Sequence, residues 1–264
     1  MSDNRIDFKV KILAVAALLI LLMIPIPVFV LETMMALNII FAIVILLTAF
    51  GVKKPADFYV CPTLIVISVS FSMITMISAT RSILVQGERF GGLLICFVSS
   101  LLAYPGGTVR LAAGFAIFAA LIAVQVLVIT KGAVRMAEVA ACFTLDAMPG
   151  KQMTIDSELE NGTIGQEEHA AAKKALQREV DLYGAMDGAV KFVSGTVKFG
   201  VFNIILIILG GIIIGVSIHG KALFAAMGTY TSLAVGSGLL FMLPSFLVCS
   251  AIAVLVARAA SDRP

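Results

Sequence analysis

The chain has 264 residues, of which 60% are hydrophobic and 13% charged, with a formal net charge of +3. Soluble domains carry about 25% charged residues, so this composition excludes an ordinary soluble domain and points to a chain that crosses a bilayer repeatedly. The charge forms no clustered basic stripe of the kind nucleic acid requires, so no nucleic-acid partner is expected.

Six apolar runs reach the roughly 20 residues needed to cross a hydrocarbon core: 12–31, 34–52, 58–80, 111–130, 199–218 and 231–257. The sequence therefore predicts an all-α polytopic membrane protein with about six transmembrane helices. Arg5, Lys9 and Lys11 ahead of the first run imitate a signal peptide. No small-residue cleavage site follows before Glu32, so a retained anchor is expected, with the break to the second span at Glu32. The third run is the most polar. Ser68, Ser72, Thr75 and Ala79 recur in it at helical spacing, a stripe suited first to close helix contact and second to a hydrated path. Arg81 follows at its edge, where an ionisable side chain either snorkels to the interface or serves function. The run 90–103 has only 14 residues, a length that suits a re-entrant or interfacial segment on the outer side.

Residues 131–198 form the long hydrophilic segment, with eight basic and ten acidic side chains, and are expected as a cytoplasmic loop between the fourth and fifth spans. The division that follows is 1–130 for the first four spans, 131–198 for the loop and 199–264 for the last two. Within the loop, Lys131, Arg135, Glu138 and Cys142 recur near one helical face, so 131–145 should extend the fourth span as a helix. The Pro149-Gly150 step makes 147–162 turn-rich. Thr163 with Gln166 then resembles a capping box for a helix through about Tyr183, whose Ala172, Leu176, Val180 and Tyr183 form an apolar stripe.

In the fifth span Gly211 and Gly215 allow close helix approach, and Asn38, Gln125 and Asn203 can each bond between helices. Ser237, within Gly236-Ser237-Gly238, and His219 raise one enzymatic alternative, an intramembrane serine hydrolase. Cys61, Cys96, Cys142 and Cys249 have no metal-ligand or disulfide spacing, so no metal and no cofactor are expected. With the N-terminus in the cytoplasm, inside segments hold fifteen Lys and Arg and outside segments three, which sets both termini inside.

The stretch Arg135-Met-Ala-Glu138-Val-Ala-Ala-Cys142-Phe-Thr-Leu-Asp146-Ala-Met-Pro149-Gly150-Lys151-Gln152-Met153 resembles the signature of the FHIPEP family, membrane components of flagellar and virulence type III secretion export gates. Val52-Lys-Lys-Pro-Ala-Asp57-Phe, Ile129-Thr-Lys-Gly-Ala, Leu176-Gln-Arg-Glu and Tyr183-Gly-Ala-Met-Asp187-Gly-Ala-Val-Lys191-Phe-Val193 follow the same family's order. The resemblance implies a non-enzymatic protein of the bacterial inner membrane that forms a homo-oligomeric ring with other export-gate subunits and contributes to export driven by the proton motive force. It also implies that Arg135, Glu138, Asp146, Pro149, Gly150, Lys151, Gln152, Asp156, Asp187 and Lys191 form a signature loop near the membrane face. Asp146, Lys151, Asp187 and Lys191 would line a vestibule there. Four positions depart from the family pattern: Ser72, Cys142, Thr196 and Ser237 stand where charged residues are usual. Similar proteins continue into further spans and a large cytoplasmic domain that receives substrates. With this chain ending at Pro264, contact with exported proteins is expected to be indirect. The alternative is an accessory or degenerate homologue that inserts and oligomerises without exporting.

Overall fold

The computed structural model of the protein describes residues 26–52, 59–102 and 108–261. Its elements are helices: α1 (Val28–Gly51), α2 (Cys61–Gln86), a 3-10 turn (Gly87–Arg89), α3 (Leu93–Leu102), α4 (Thr108–Val126), a π-helical turn (Leu127–Ala133), α5 (Val134–Glu160), α6 (Gln166–Ser217) and α7 (Leu223–Ser261). Five of the described helical stretches are long and apolar enough to cross a membrane. The expected first span lies outside the described residues as far as Pro25.

Three sequence expectations need correction. The break before the second span falls ahead of Val28, not at Glu32, because Pro27 accepts the first helical hydrogen bond, from the Leu31 amide, and α1 then runs straight through Glu32. The turn-rich stretch at 147–162 is helical to Glu160, with Pro149 inside α5. Proline removes one ladder bond, but Leu145 and Pro149 are both exposed, so the freed carbonyl lies on an open face. The helix expected to stop near Tyr183 continues for 52 residues to Ser217. Gly184, Gly188, Gly195 and Gly200 weaken it locally, yet the opposite side buries Met186, Ala189, Val190, Val193 and Val197, and packing prevails over propensity. Run 90–103 contains the ten-residue α3.

The chain divides into two compact units. The first comprises, among described residues, 26–39, 70–102, 108–122 and 199–243. Its apolar core gathers Leu31 and Met35 of α1, Met76, Ala79 and Ile83 of α2, Ile95 of α3, Phe118 of α4, Ile204 and Ile207 of α6, and Tyr230 and Ala234 of α7. Lipid tails are as apolar as leucine, so helices in a bilayer are held by close packing and internal hydrogen bonds. Both are present. A Cβ on Gly211 would collide with the Tyr230 ring, and one on Gly215 would meet the same ring and Ala226. Gly236 and Gly238 accept, in turn, the Ile95 carbonyl with Ser99 of α3 and the Phe118 ring of α4. Asn38 donates to Ser72 at 2.9 Å, Thr80 donates to Asn203 at 2.8 Å, and Ser99 and Ser232 share a hydrogen bond between α3 and α7. The Leu94 amide at the start of α3 donates to the Glu32 carboxylate at 2.6 Å, which places a negative charge at a helix N-terminus. Ser72, Thr75 and Ala79 are buried in this unit and Ser68 is buried in the second, while Arg81 is exposed.

The second unit comprises 40–52, 59–69, 123–198 and 244–261 among described residues. Its core joins Ala42, Ile45 and Ala49 of α1, Cys61, Ile65 and Val69 of α2, and Val248, Ala251 and Ile252 of α7 to the base of a helical hairpin made by α5 and α6.

Gly211→Ala should destabilise the protein by about 1–3 kcal/mol, the usual cost of overpacking, because the added methyl meets the fixed root of the Tyr230 side chain. Gly200→Ala, which points into open space on the same helix, should not. Thermal unfolding midpoints in detergent compare the two.

Candidate functional site

The signature residues lie on the hairpin. Its turn is made locally. Asn161 caps α5 and Gly162 takes φ of +71°; the Gly162 amide then donates to Leu159 and the Thr163 amide to Glu158, the paired bonds of a Schellman stop. α6 starts immediately after it. The Glu168 carboxylate accepts the Gly165 amide at 3.1 Å, one half of a capping box, at Gly165 and Glu168 in place of the expected Thr163 and Gln166. Glu167 and Glu168 in the first turn also suit the positive end of the helix dipole.

The two helices run antiparallel with an apolar seam. From α5 it takes Ala137, Ala141 and Thr144, and from α6 Leu176, Val180, Tyr183, Met186, Val190 and Val193. This includes most of the stripe expected for α6, with Ala172 half-buried. Beside the seam lies a ladder of opposite charges whose α6 partner numbers fall as the α5 numbers rise. Glu138 faces Lys191 at 3.5 Å, Lys151 faces Glu179 at 3.1 Å, and Asp156 faces Lys173 at 2.8 Å and His169 at 2.6 Å. Lys191 also binds Asp187 one turn earlier at 2.8 Å, and Arg135 reaches Glu138 at 3.8 Å.

The structure therefore groups Arg135, Glu138, Asp187 and Lys191 at the base of the hairpin and Asp156 at its tip. Asp146 stands apart on an exposed face, where the Cys142 thiol donates to it at 3.6 Å. Pro149 and Gly150 are exposed, and the Gly150 carbonyl accepts from Thr154 at 3.1 Å; Gln152 is half-buried. Glu179, His169 and Lys173 were missed as site residues. Their charges were visible, but only a helical 147–160 brings them opposite the signature.

Lys173, and after it His169, hold the Asp156 carboxyl below its ordinary value by hydrogen bonding to the charged form. Asp187, then Glu138, raise the Lys191 ammonium above its ordinary value. The Asp156 contribution is thus complete above the free carboxylate range near pH 4 and is lost as pH falls through the lower folded value; that of Lys191 is complete below about pH 10 and is lost only above it.

The four departures are accommodated in different ways. Ser72 accepts from Asn38, Thr196 donates to the Phe192 carbonyl at 3.3 Å, and Ser237 donates to the Ala234 carbonyl of its own helix at 3.2 Å. Cys142 is exposed. The Gly-Ser-Gly string thus serves as a packing surface with an internally bonded hydroxyl. Among the described residues, no group of three or more His, Cys, Asp or Glu is placed to hold a metal ion.

The profile of the FHIPEP family matches residues 18–264. The chain is 46% identical over 241 residues to the flagellar biosynthesis protein FlhA of Treponema pallidum, covering 91% of this chain and 34% of that protein. It is 39% identical over 262 residues to FlhA of Bacillus subtilis (99% and 37%), and 35% identical over 263 residues to the invasion protein InvA of Salmonella typhimurium (99% and 38%). It thus spans little more than a third of the length of these relatives. No solved structure matches it.

Exposed ion pairs contribute at most about 1 kcal/mol. Lys151→Glu or Glu179→Lys alone should therefore lower hairpin stability by about that amount, and the double exchange should restore it, as read by a spin-label distance across the hairpin under denaturant. The same distance at the tip should hold from neutral pH to about pH 4 and lengthen below it, with the acid response lost in Asp156→Asn.

Proposed function

The chain belongs to the FHIPEP family, and from that premise we propose that it is a membrane component of a flagellar or related type III secretion export gate in the bacterial inner membrane. The observation that carries this reading is the match across 18–264, with relatives named for flagellar biosynthesis and for invasion at 35–46% identity. Five helices suited to crossing a membrane support a bilayer setting. In this reading both termini face the cytoplasm, the hairpin 131–198 projects from that face, and copies of the chain assemble as a ring with other gate subunits.

The hairpin supplies the chemistry for coupling to the proton motive force. Carboxylates that change protonation must be reachable from water and must alter something when they do. Asp146 meets the first condition by its exposure. Glu138 meets the second, since it holds Lys191 across the two helices and loss of its charge loosens the base of the hairpin, while Asp187 positions that lysine from one turn earlier on its own helix. Export here is a matter of conformational work, and no bond-making role is assigned to any residue. Exported proteins would meet this part of the gate only indirectly.

One observation favours the second reading, an accessory homologue that inserts and oligomerises without exporting. Ser72, bonded to Asn38 of a neighbouring helix, and Thr196 and Ser237, each bonded within its own helix, occupy their sites as neutral hydroxyls where the family pattern has charge. Deletion of the gene separates the two readings. Export predicts loss of motility or secretion, and Asp146→Ala or Asp187→Asn, inserted at normal levels, should reduce secretion tenfold or more. Normal secretion in the deletion strain would overturn the export reading.

A further inference from the structure

Lys131 and Lys198 are the last cation of one apolar run and the first before the next: 111–130 ends at Lys131, and 199–218 begins after Lys198. Packing at the base of the hairpin gathers the segments that carry them. Ile129 and Ala133, two residues either side of Lys131 in the π-helical turn, share one buried core with Val193 and Val197, the latter next to Lys198. Both lysines are exposed, and no ion pair or hydrogen bond holds either among the described residues. Arg135, 76% exposed and one turn beyond Lys131, adds a third cation tied only loosely to Glu138 at 3.8 Å.

The local charge is one-sided. No Asp or Glu occurs from residue 108 through 137 or from 192 through 218, so Glu138 is the first acid to dilute this group. The surface next to it is apolar. Val124 and Leu127, on the same helical stretch as Lys131, are 56% and 52% exposed, so one continuous face passes from bare aliphatic side chains to ammonium groups within a turn. That sequence of surfaces matches a phospholipid, whose acyl chain lies along aliphatic side chains while its phosphate sits at the cationic end.

We propose that Lys131 and Lys198, with Arg135 beside them, form a binding surface for the headgroups of anionic phospholipids at the base of the hairpin. The surface stands on charge and on the core shared beneath it, and holds whether or not the protein exports. Its function would be to seat the hairpin against the bilayer surface, so that the ladder above it keeps a fixed height over the membrane.

The test uses the 264-residue chain in nanodiscs containing phosphatidylcholine and phosphatidylglycerol, with the relative association of spin-labelled forms of each lipid read by electron paramagnetic resonance. The parent protein should prefer phosphatidylglycerol several-fold at low salt and lose that preference at high salt. K131Q/K198Q should reduce it by about fivefold per charge or to parity, whichever comes first. K131R/K198R should keep it. K174Q/R178Q, which removes the same charge elsewhere on α6, should leave it unchanged. Parity in the parent, an undiminished preference in K131Q/K198Q, or an equal loss in K174Q/R178Q would overturn the assignment. Displacement of the lipid by millimolar inorganic phosphate at constant ionic strength would overturn it in favour of a soluble phosphate.

Discussion

The antiparallel register of α5 against α6 is the constraint on which the candidate site depends. It is set by small residues on one side, Ala137, Ala141 and Thr144, against larger ones on the other, Leu176, Val180, Tyr183 and Val190. Shifting one helix by a turn would move every charge in the ladder out of reach at once. The ion pairs are too exposed to hold such a hairpin by themselves. Their part is to disfavour the shifted alignments, in which the pairs are lost and a shift of four residues would set Glu138 against Asp187, while the buried seam supplies the cohesion.

The first unit solves a different problem by different means. Its polar side chains must be satisfied internally because lipid offers them no partners. Asn38 with Ser72 and Asn203 with Thr80 do this between helices, while Thr75 and Thr80 also donate to the carbonyls four residues earlier on their own helix. The glycines are spaced to admit particular objects: Tyr230 at Gly211 and Gly215, the backbone of α3 at Gly236, the Phe118 ring at Gly238. A charged side chain at Ser237 would have to find room between the last two of these contacts. The neutral hydroxyl there fits the packing it is part of.

The signature was legible as a local pattern, and the site it belongs to was legible only in part. Arg135, Glu138, Asp187 and Lys191 stood out by motif and do meet at the hairpin base. His169 and Lys173 carry no motif and Glu179 only closes Leu176-Gln-Arg-Glu; what brings all three into the site is the continuation of α5 past Pro149-Gly150. Local propensity argues for a turn there. Half-buried Met148, Gln152, Ile155 and Leu159 continue a packed face past it, and Pro149 is tolerated because it lies on the exposed side.

The sequence by itself determined the class of the protein, since the length and apolarity of its runs leave a helical membrane chain as the only economical way to satisfy the backbone. It also determined the family, through residues whose order is written in the chain, and the apolar stripe of α6, through its period. Only the tertiary structure decided where helices stop, which charges face each other and which glycines are filled. Those outcomes depend on contacts between segments far apart in sequence, and the energies of such contacts exceed the local preferences of Pro149, Gly184 or Gly195 that a linear reading weighs.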